Sequence, residues 1–156
     1  MGYSTDFEGE FKIDKPVDKD TAKLLKGLAK TRRMKRNVQG YGVEGEFYVK
    51  GKGFMGQDND STVIDSNDPP RTQPSLWCQW LLQDDNQTIK WDGGEKFYEY
   101  VDWIEYLINN VLSPKGYIVN GEVKWKGEKS TDVGKIIIKD NSVETKKGKV
   151  IVTYGE

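Results

Sequence analysis

The spacing of apolar residues in the first part of the chain predicts a strand followed by a helix. Apolar and charged side chains alternate over residues 6–14, as expected of a strand with one buried and one wet face. Beyond the proline at position 16, Asp18 or Asp20 can cap a helix whose apolar side chains recur every three or four positions. We expect this helix to extend to about Met34.

The middle of the chain combines short apolar runs with one long polar stretch. Residues 46–49 form a short predicted strand after glycine-rich turns. Residues 54–75 are rich in Gly, Asp, Asn, Ser and Thr, which predicts a long loop, and loops of this length are often functional. Residues 76–82 are apolar at nearly every position, which predicts a central strand covered on both faces, and residues 88–91 form the next strand.

The last part of the chain predicts a second helix and a meander. Residues 95–112 carry a wide apolar stripe at helical spacing. The Asn-Gly pair at 120–121 predicts a tight β-hairpin turn between apolar flanks. Two further strands are predicted at residues 135–139 and 150–154, the first of them ending in a turn at residues 140–141.

The order of these elements defines the expected fold class. Strand, helix, strands, helix and strands follow one another without an internal repeat. We therefore expect an α+β architecture in which two helices pack on a mostly antiparallel β-sheet. At 156 residues the chain has room for one domain, spanning residues 1–156, with the long polar loop at about 54–75.

Composition excludes several kinds of chemistry. Hydrophobic residues make up 35% of the chain and charged residues 31%, and five Trp, eight Tyr and five Phe supply large apolar side chains for a folded core. The chain contains no histidine, which excludes Ser-His-Asp and Cys-His catalysis and any metal site that needs imidazole. Its single cysteine, Cys78, excludes an internal disulfide and a multi-cysteine zinc site.

Charge and hydropathy indicate where the protein acts. The formal net charge is -1, so no overall field draws the protein to nucleic acid or to an anionic membrane. No apolar run approaches the roughly 18 residues of a membrane span, and the first residues lack the basic and apolar regions of a secretory signal. We expect a cytoplasmic protein without a membrane partner.

The near-neutral net charge hides a dense basic run at the end of the first predicted helix. One interpretation is a solvated helix terminus, where cations complement the helix dipole. The other is a site for phosphate groups or an acidic partner, since arginine contacts such groups in a bidentate manner. The candidate binding residues are Lys30, Arg32, Arg33, Lys35 and Arg36, with Tyr41 as the nearest aromatic residue that can stack on a base.

The tryptophans are predicted mainly as core residues. Trp77, Trp80, Trp91 and Trp103 lie in apolar elements, so packing explains most of them. One of the pair Trp77 and Trp80 can border a pocket, and Trp77 is included among the candidate binding residues. Cys78 lies between bulky apolar neighbours without a histidine to activate it, which predicts a packed and inert thiol.

The acidic residues give only weak signals of metal or acid-base chemistry. The segment 58–62 resembles the start of an EF-hand loop, but Val63 and Pro69 stand where that loop needs Gly and Glu. An irregular metal site or a plain polar loop remain as interpretations, the former using Asp58, Asp60, Asp65 and Asp68. Residues 92–94 predict a tight turn capped by Asp92. Paired carboxylates such as Asp92, Glu95 and Asp102 are available, but their spacing singles out none, so no catalytic residue, metal ligand or cofactor is predicted.

Several strings along the chain together mark a family. They are MGYSTDFEGEF, KTRRMKR, GFMGQDND, PSLWCQW and WDGGEKFYEYV. Taken together they cover most of the chain and resemble a family of small, uncharacterised proteins found in bacterial and phage genomes. That family carries no established activity, so the resemblance implies a fold and a phage or mobile-element setting, and no catalytic residues.

Three functions follow as hypotheses. The leading one is a non-enzymatic binding protein that uses the long loop and the basic run to engage a host protein or an anionic small molecule such as a nucleotide. In a phage setting it would act as an inhibitor, for instance of a host defence protein. The alternatives are a nucleotide- or nucleic-acid-binding protein that uses the same arginines, and an enzyme with carboxylate or metal chemistry in the acidic loop.

Overall fold

A six-stranded antiparallel sheet forms the centre of the computed structural model, which describes residues 2–37, 63–151 and 153–155. The elements in chain order are β1 (Thr5–Ile13), α1 (Lys19–Lys30), β2 (Lys35–Arg36), β3 (Val63–Asp65), β4 (Trp80–Leu82), β5 (Thr88–Trp91), α2 (Tyr100–Leu107), β6 (Val119–Gly127), β7 (Val133–Lys139) and β8 (Ser142–Lys147). The large sheet has the order β4-β5-β1-β6-β7-β8, and β2 and β3 form a small second sheet. The α+β fold class predicted from the sequence is confirmed.

One face of the large sheet is covered and the other is wet. Along the central strands, apolar side chains at every second position point into a single core, which explains the alternation in the sequence. Both helices contribute to this core, α1 through Ala22, Leu25 and Leu28 and α2 through Trp103 and Ile104. The solvent face carries the charged side chains of the same strands.

The helix boundaries differ from the predicted ones. Asp18 caps α1 as expected, because its carboxylate accepts a hydrogen bond from the backbone N–H of Thr21 at 2.8 Å. The prediction that α1 reaches Met34 is wrong: the helix ends at Lys30, and Thr31 is extended with its hydroxyl bonded to the carbonyl of Gly27 at 2.8 Å.

The second predicted helix starts later than its apolar stripe suggested. Residues 95–99 are irregular, and Lys96 and Glu99 adopt positive φ angles of 58° and 56°, which interrupt a right-handed helix. α2 begins at Tyr100. Beyond Leu107 it continues through a π-helical turn (Ile108–Leu112) and a 3₁₀ turn (Ser113–Lys115).

The apolar segment 76–82 is not a central strand. Only Trp80–Leu82 pairs, and β4 lies at the edge of the sheet beside β5. The backbone carbonyls of the preceding residues form hydrogen bonds outside the β4 strand: that of Leu76 accepts from the N–H of Arg33 at 2.7 Å, and that of Gln79 accepts from the N–H of Asp92 at 2.9 Å. Cys78, Trp80 and Leu82 are buried in the core, whereas Leu76 and Trp77 are only half-buried.

The hairpin predicted at Asn120 and Gly121 is also wrong, because β6 runs without a break from Val119 to Gly127. Gly121 lies opposite Phe11 on β1 with a φ of 144°, and a Cβ there would stand 2.6 Å from the carbonyl oxygen of Glu10. The glycine is needed for close approach of two strands. The turn predicted at 140–141 is confirmed, with both residues at positive φ, as a type I′ turn requires.

Three further expectations fall at the margins of the described chain. Val63–Asp65, predicted within the long loop, pairs as β3 with β2, so this part of the loop is regular. The last predicted strand is wrong for residues 150, 151, 153 and 154, which have no regular secondary structure. The predicted strand 46–49 and the loop residues 54–62 lie outside the described residues.

Neither described helix has the length and apolarity needed to cross a membrane.

Candidate functional site

An open cleft lies between the segment 69–77 and the segment 95–99, and we call it the Trp77 cleft. Its volume is about 600 Å³ and its lining is mainly apolar. The lining residues are Pro69, Pro74, Ser75, Leu76, Trp77, Glu95, Lys96, Tyr98 and Glu99. A cleft of this size and composition has room for a small molecule or for a few side chains of a bound peptide.

One wall of the cleft is held in a strained conformation by a buried anchor. Phe97 is buried, with its ring 5.2 Å from Trp80 and 5.6 Å from Phe7 between centroids. The residues on either side of the Phe97-Tyr98 pair, Lys96 and Glu99, have positive φ angles. Such angles cost about 1–3 kcal/mol each in residues other than glycine, and they cluster at functional sites.

Ser75 joins the two walls of the cleft. Its hydroxyl oxygen accepts a hydrogen bond from the indole N–H of Trp103 at 2.7 Å and its O–H donates to the carbonyl of Tyr98 at 3.3 Å. Trp103 is fully buried in α2, so this contact ties both walls to the core. Tyr98 itself is 45% exposed and presents its ring at the rim. The cleft is therefore built in advance of any binding event.

Trp77 differs from the other four tryptophans in its polar contacts. It is half-buried, and its indole N–H has no hydrogen-bond acceptor among the described residues. The N–H groups of the others all have one: Trp80 donates to Tyr100 O (2.8 Å), Trp91 to Gln79 Oε1 (3.1 Å), Trp103 to Ser75 Oγ (2.7 Å) and Trp125 to Asp132 Oδ1 (3.0 Å). Because tryptophans that pack against protein normally satisfy this donor, Trp77 offers an apolar ring and a free donor to a ligand.

The charges around the cleft are mainly negative. Glu95 and Glu99 lie in its lining, against a single cation, Lys96. Hydrogen bonding to the carboxyl group of Asp102, together with partial burial and the like charge, raises the pKa of Glu99. Burial also raises the pKa of Asp92, in the turn just before this segment. A cation near Glu95 and Glu99 would be stabilised by this local field.

The basic run that the sequence analysis selected is divided between surface and interior. Lys30 is exposed and Lys35 is half-buried. Arg32 is also half-buried, and its Nε donates to the carbonyl of Ser66 at 2.7 Å. Arg33 and Arg36 are only 1% and 2% exposed. The fold buries both guanidinium groups, so neither arginine presents its side chain at the surface for direct contact with a ligand.

Arg33 belongs to a buried polar network behind the cleft. It donates to Thr31 Oγ1 at 2.7 Å and to Gln73 Oε1 at 3.3 Å, and Gln73 in turn donates to the hydroxyl of Tyr106 at 3.2 Å. Burial lowers the pKa of Arg33 to about 10. The backbone N–H of Arg33 bonds to Leu76 in the cleft wall. The basic run therefore lies next to the segment that carries Trp77, and Arg33 stabilises the wall of the cleft from behind. The remaining candidate, Tyr41, lies outside the described residues.

The remaining candidates for chemistry do not form a reactive centre. Cys78 is fully buried, which confirms the predicted packed thiol, and burial raises the pKa of the thiol to about 12. Asp92 accepts from the N–H of Gly94 at 2.8 Å, which confirms the tight turn, although no helix begins there. Within the described ranges, no three carboxylate or thiol groups lie close enough to hold a metal ion. Asp58 and Asp60 fall outside those ranges.

The cleft wall formed by residues 95–99 differs from the element predicted there. Its apolar stripe predicted a helix, which would have placed Tyr98 and Glu99 on helical turns. The distinguishing feature of this wall is the positive φ of Lys96 and Glu99, which no residue-type pattern in the sequence encodes.

Comparison of the chain with protein-family models, curated proteins and solved structures gives no match. The function is therefore inferred from the geometry of the Trp77 cleft.

Proposed function

We propose that this protein is a non-enzymatic binding protein that holds a segment of a partner protein in the Trp77 cleft. The observation that carries the proposal is the free indole N–H of Trp77 in a preformed, mainly apolar cleft. Tryptophans are enriched at protein interfaces, where they often contribute a large share of the binding energy.

The lining of the cleft defines the chemistry of the segment that would fit. Prolines and aromatic rings form grooves that accept an extended peptide, as in domains that bind proline-rich sequences. A backbone carbonyl of that peptide would accept the Trp77 hydrogen bond, and an apolar side chain would pack on the ring. A neighbouring Lys or Arg would reach Glu95 or Glu99. The expected ligand is an apolar or aromatic residue next to a basic one.

The phage setting implied by the family resemblance suits this proposal. A partner in that setting would be a host protein, and occupation of its segment would inhibit it, as for an inhibitor of a defence system. A nucleotide or nucleic acid bound by the basic run has less support, since Arg33 and Arg36 are buried and the cleft beside them is acidic. No described contact favours an enzymatic function.

A peptide-display selection tests the proposal without knowledge of the natural partner. A random library is selected on the wild-type protein, and the enriched peptides are measured on Trp77→Ala, on Trp77→Phe and on Ile118→Ala, an exposed apolar residue outside the cleft. We expect enriched peptides that pair an aromatic or apolar residue with Lys or Arg. Trp77→Ala should weaken their binding by about tenfold or more, and Ile118→Ala should leave it unchanged.

The phenylalanine variant separates the two functions of Trp77. It keeps an aromatic ring and removes only the N–H, so a loss of several-fold, corresponding to about 1 kcal/mol, is expected from one missing hydrogen bond. Thermal unfolding of each variant confirms that it is folded. Enrichment of acidic peptides, or equal binding to wild type and Trp77→Ala, would contradict the proposal.

A further inference from the structure

Three lysines form a row across the wet face of the sheet. Lys124 on β6 lies opposite Lys135 on β7, which lies opposite Lys146 on β8. Neighbouring strands are about 4.8 Å apart, so the three ammonium groups are carried on backbone positions that span about 10 Å. Like charges directly opposite one another on a sheet are destabilising, so this row needs an explanation.

The lysine row borders a hollow of about 470 Å³, which we call the lysine hollow. Lys147, Trp125 and Val133 also line it, and no carboxylate of the described residues does. Lys135 forms an ion pair with Glu122 at 3.1 Å, whereas the described residues offer no ion pair to Lys124, Lys146 or Lys147. The nearest acid in the row is Glu8, opposite Lys124 on β1 and away from the hollow.

The floor of the hollow is built around a glycine. Gly134 lies opposite Trp125 in the sheet, and a Cβ at this position would overlap the indole ring and the carbonyl of Lys146. The missing side chain leaves room for the indole, which is fixed from the other side by its hydrogen bond to Asp132 at 3.0 Å. Because side chains alternate along a strand, Trp125, Gly134 and Lys147 project to the covered face of the sheet, and the cations that border the hollow on the wet face are Lys124, Lys135 and Lys146.

Protection of the sheet edge explains only part of this arrangement. Lysines on an edge strand discourage pairing with another chain, and β8 is an edge strand that carries Lys146 and Lys147. Lys124 and Lys135 lie on β6 and β7, which are interior strands with both edges paired. Edge protection gives no reason for cations there, so the row as a whole indicates a ligand.

We propose that the lysine hollow binds the phosphate groups of a ligand. Lysine acts as a compact point charge for phosphate and needs no fixed orientation, which suits a row of flexible side chains on a flat sheet. Glu122 pairs with Lys135, whereas Lys124 and Lys146 have no ion pair among the described residues and are the cations most available to a phosphate. The lysine hollow shares no lining residue with the Trp77 cleft and has the opposite charge. A test of phosphate binding here is therefore independent of the proposed peptide binding.

Binding of a fluorescent oligothymidylate, with sodium tripolyphosphate as competitor, tests the proposal. The test variant changes Lys124, Lys135 and Lys146 to Gln. The control changes Lys19, Lys23 and Lys90 to Gln, three exposed lysines outside the hollow, so that both variants have the same net charge. Affinity is measured from about 50 to about 200 mM salt, where contacts to phosphates weaken strongly.

We expect wild type and control to bind with a log–log salt slope of about -2, as three contacts to single-stranded phosphates would give, and the test variant to bind at least about tenfold more weakly. Displacement by tripolyphosphate at equal phosphate concentration indicates a free polyphosphate or nucleotide as the ligand, and much tighter oligothymidylate binding indicates a nucleic-acid strand. Both results support a phosphate site. No binding of either probe at low salt, or equal losses in test variant and control, would overturn it.

A stability measurement guards against misfolding of the test variant. The substitutions remove like charges that face one another and also the exposed ion pair between Lys135 and Glu122, which contributes little, so the test variant should unfold close to the temperature of wild type. A folded test variant that binds both probes as tightly as wild type does would also overturn the proposal.

Discussion

Two neighbouring arginines, Arg32 and Arg33, contribute differently although the sequence places them in one basic run. Arg32 is half-buried and reaches the carbonyl of Ser66 on the segment after β3. Arg33 is enclosed and holds Thr31 and Gln73, so its guanidinium stabilises the back of the Trp77 cleft. Residue type alone cannot separate these two environments, because Gln73 is distant from Arg33 along the chain.

Substitution of the two arginines by alanine should separate the buried residue from the half-buried one. Arg33→Ala should lower the free energy of unfolding by about 3 kcal/mol, because it empties a packed volume and leaves buried polar partners unpaired. Arg32→Ala should lower it by about 1 kcal/mol, since solvent replaces its contacts. Denaturant unfolding of both variants measures the difference. Equal losses, or a larger loss for Arg32→Ala, would contradict the structural role of Arg33.

The candidate site was predictable from the sequence only in part. Trp77 is a candidate because Trp77 and Trp80 lie on opposite faces of the predicted strand, so that one of them can border a pocket, and Trp77 does line the cleft. Tyr98 and Glu99 were not selected, because their conformation depends on Phe97 being drawn into the aromatic core. That long-range packing overrides the local helical pattern of residues 95–99.

Among the secondary-structure elements, those determined by interactions between residues close in sequence were predicted correctly from the sequence pattern. β1 and the turn at 140–141 match the prediction closely, since alternation fixes a strand face and positive φ favours Asp and Asn in a two-residue turn. The Asn-Gly pair at 120–121 led to a wrong prediction, because glycine occurs both in tight turns and where two strands approach closely. In β6 it permits close approach to β1.

Two glycines with positive φ separate these purposes experimentally. Gly121→Ala should lower the free energy of unfolding by about 3 kcal/mol, because the new methyl group meets the backbone of Glu10 and Phe11 in addition to the strain in φ. Gly116→Ala is the matched control: its φ is 82° but no atom lies within 4 Å of the added Cβ, so a loss of about 1 kcal/mol is expected from φ strain alone. Thermal or denaturant unfolding of the two variants measures the difference. Equal losses of unfolding free energy would show that close contact between β6 and β1 at Gly121 does not contribute to stability.

Across the whole molecule, a net charge close to zero conceals two surfaces of opposite sign. The Trp77 cleft carries Glu95 and Glu99, whereas the lysine hollow is bordered by Lys124, Lys135 and Lys146 on β6, β7 and β8. The fold class was predictable because the order of the elements and the shared apolar face require two helices on one sheet. The Trp77 cleft was not, since it brings together segments 69–77 and 95–99, and the lysine row was not, since it depends on the exact register of three consecutive strands.

The segment beyond β8 should contribute little to the stability of the whole fold. Of the predicted strand, residues 150, 151, 153 and 154 do not join the sheet, and Ile151 and Tyr154 are 82% and 92% exposed. Among the described residues, the last backbone hydrogen bond to the sheet runs from the N–H of Gly148 to the carbonyl of Val133 at 2.8 Å. Removal of residues 150–156 should therefore change the free energy of unfolding by less than about 1 kcal/mol. Removal of residues 142–156, which includes β8, should destabilise the protein strongly because it uncovers Ile136 and Ile138 on β7. A large loss in the shorter deletion would mean that the exposed segment packs on the fold.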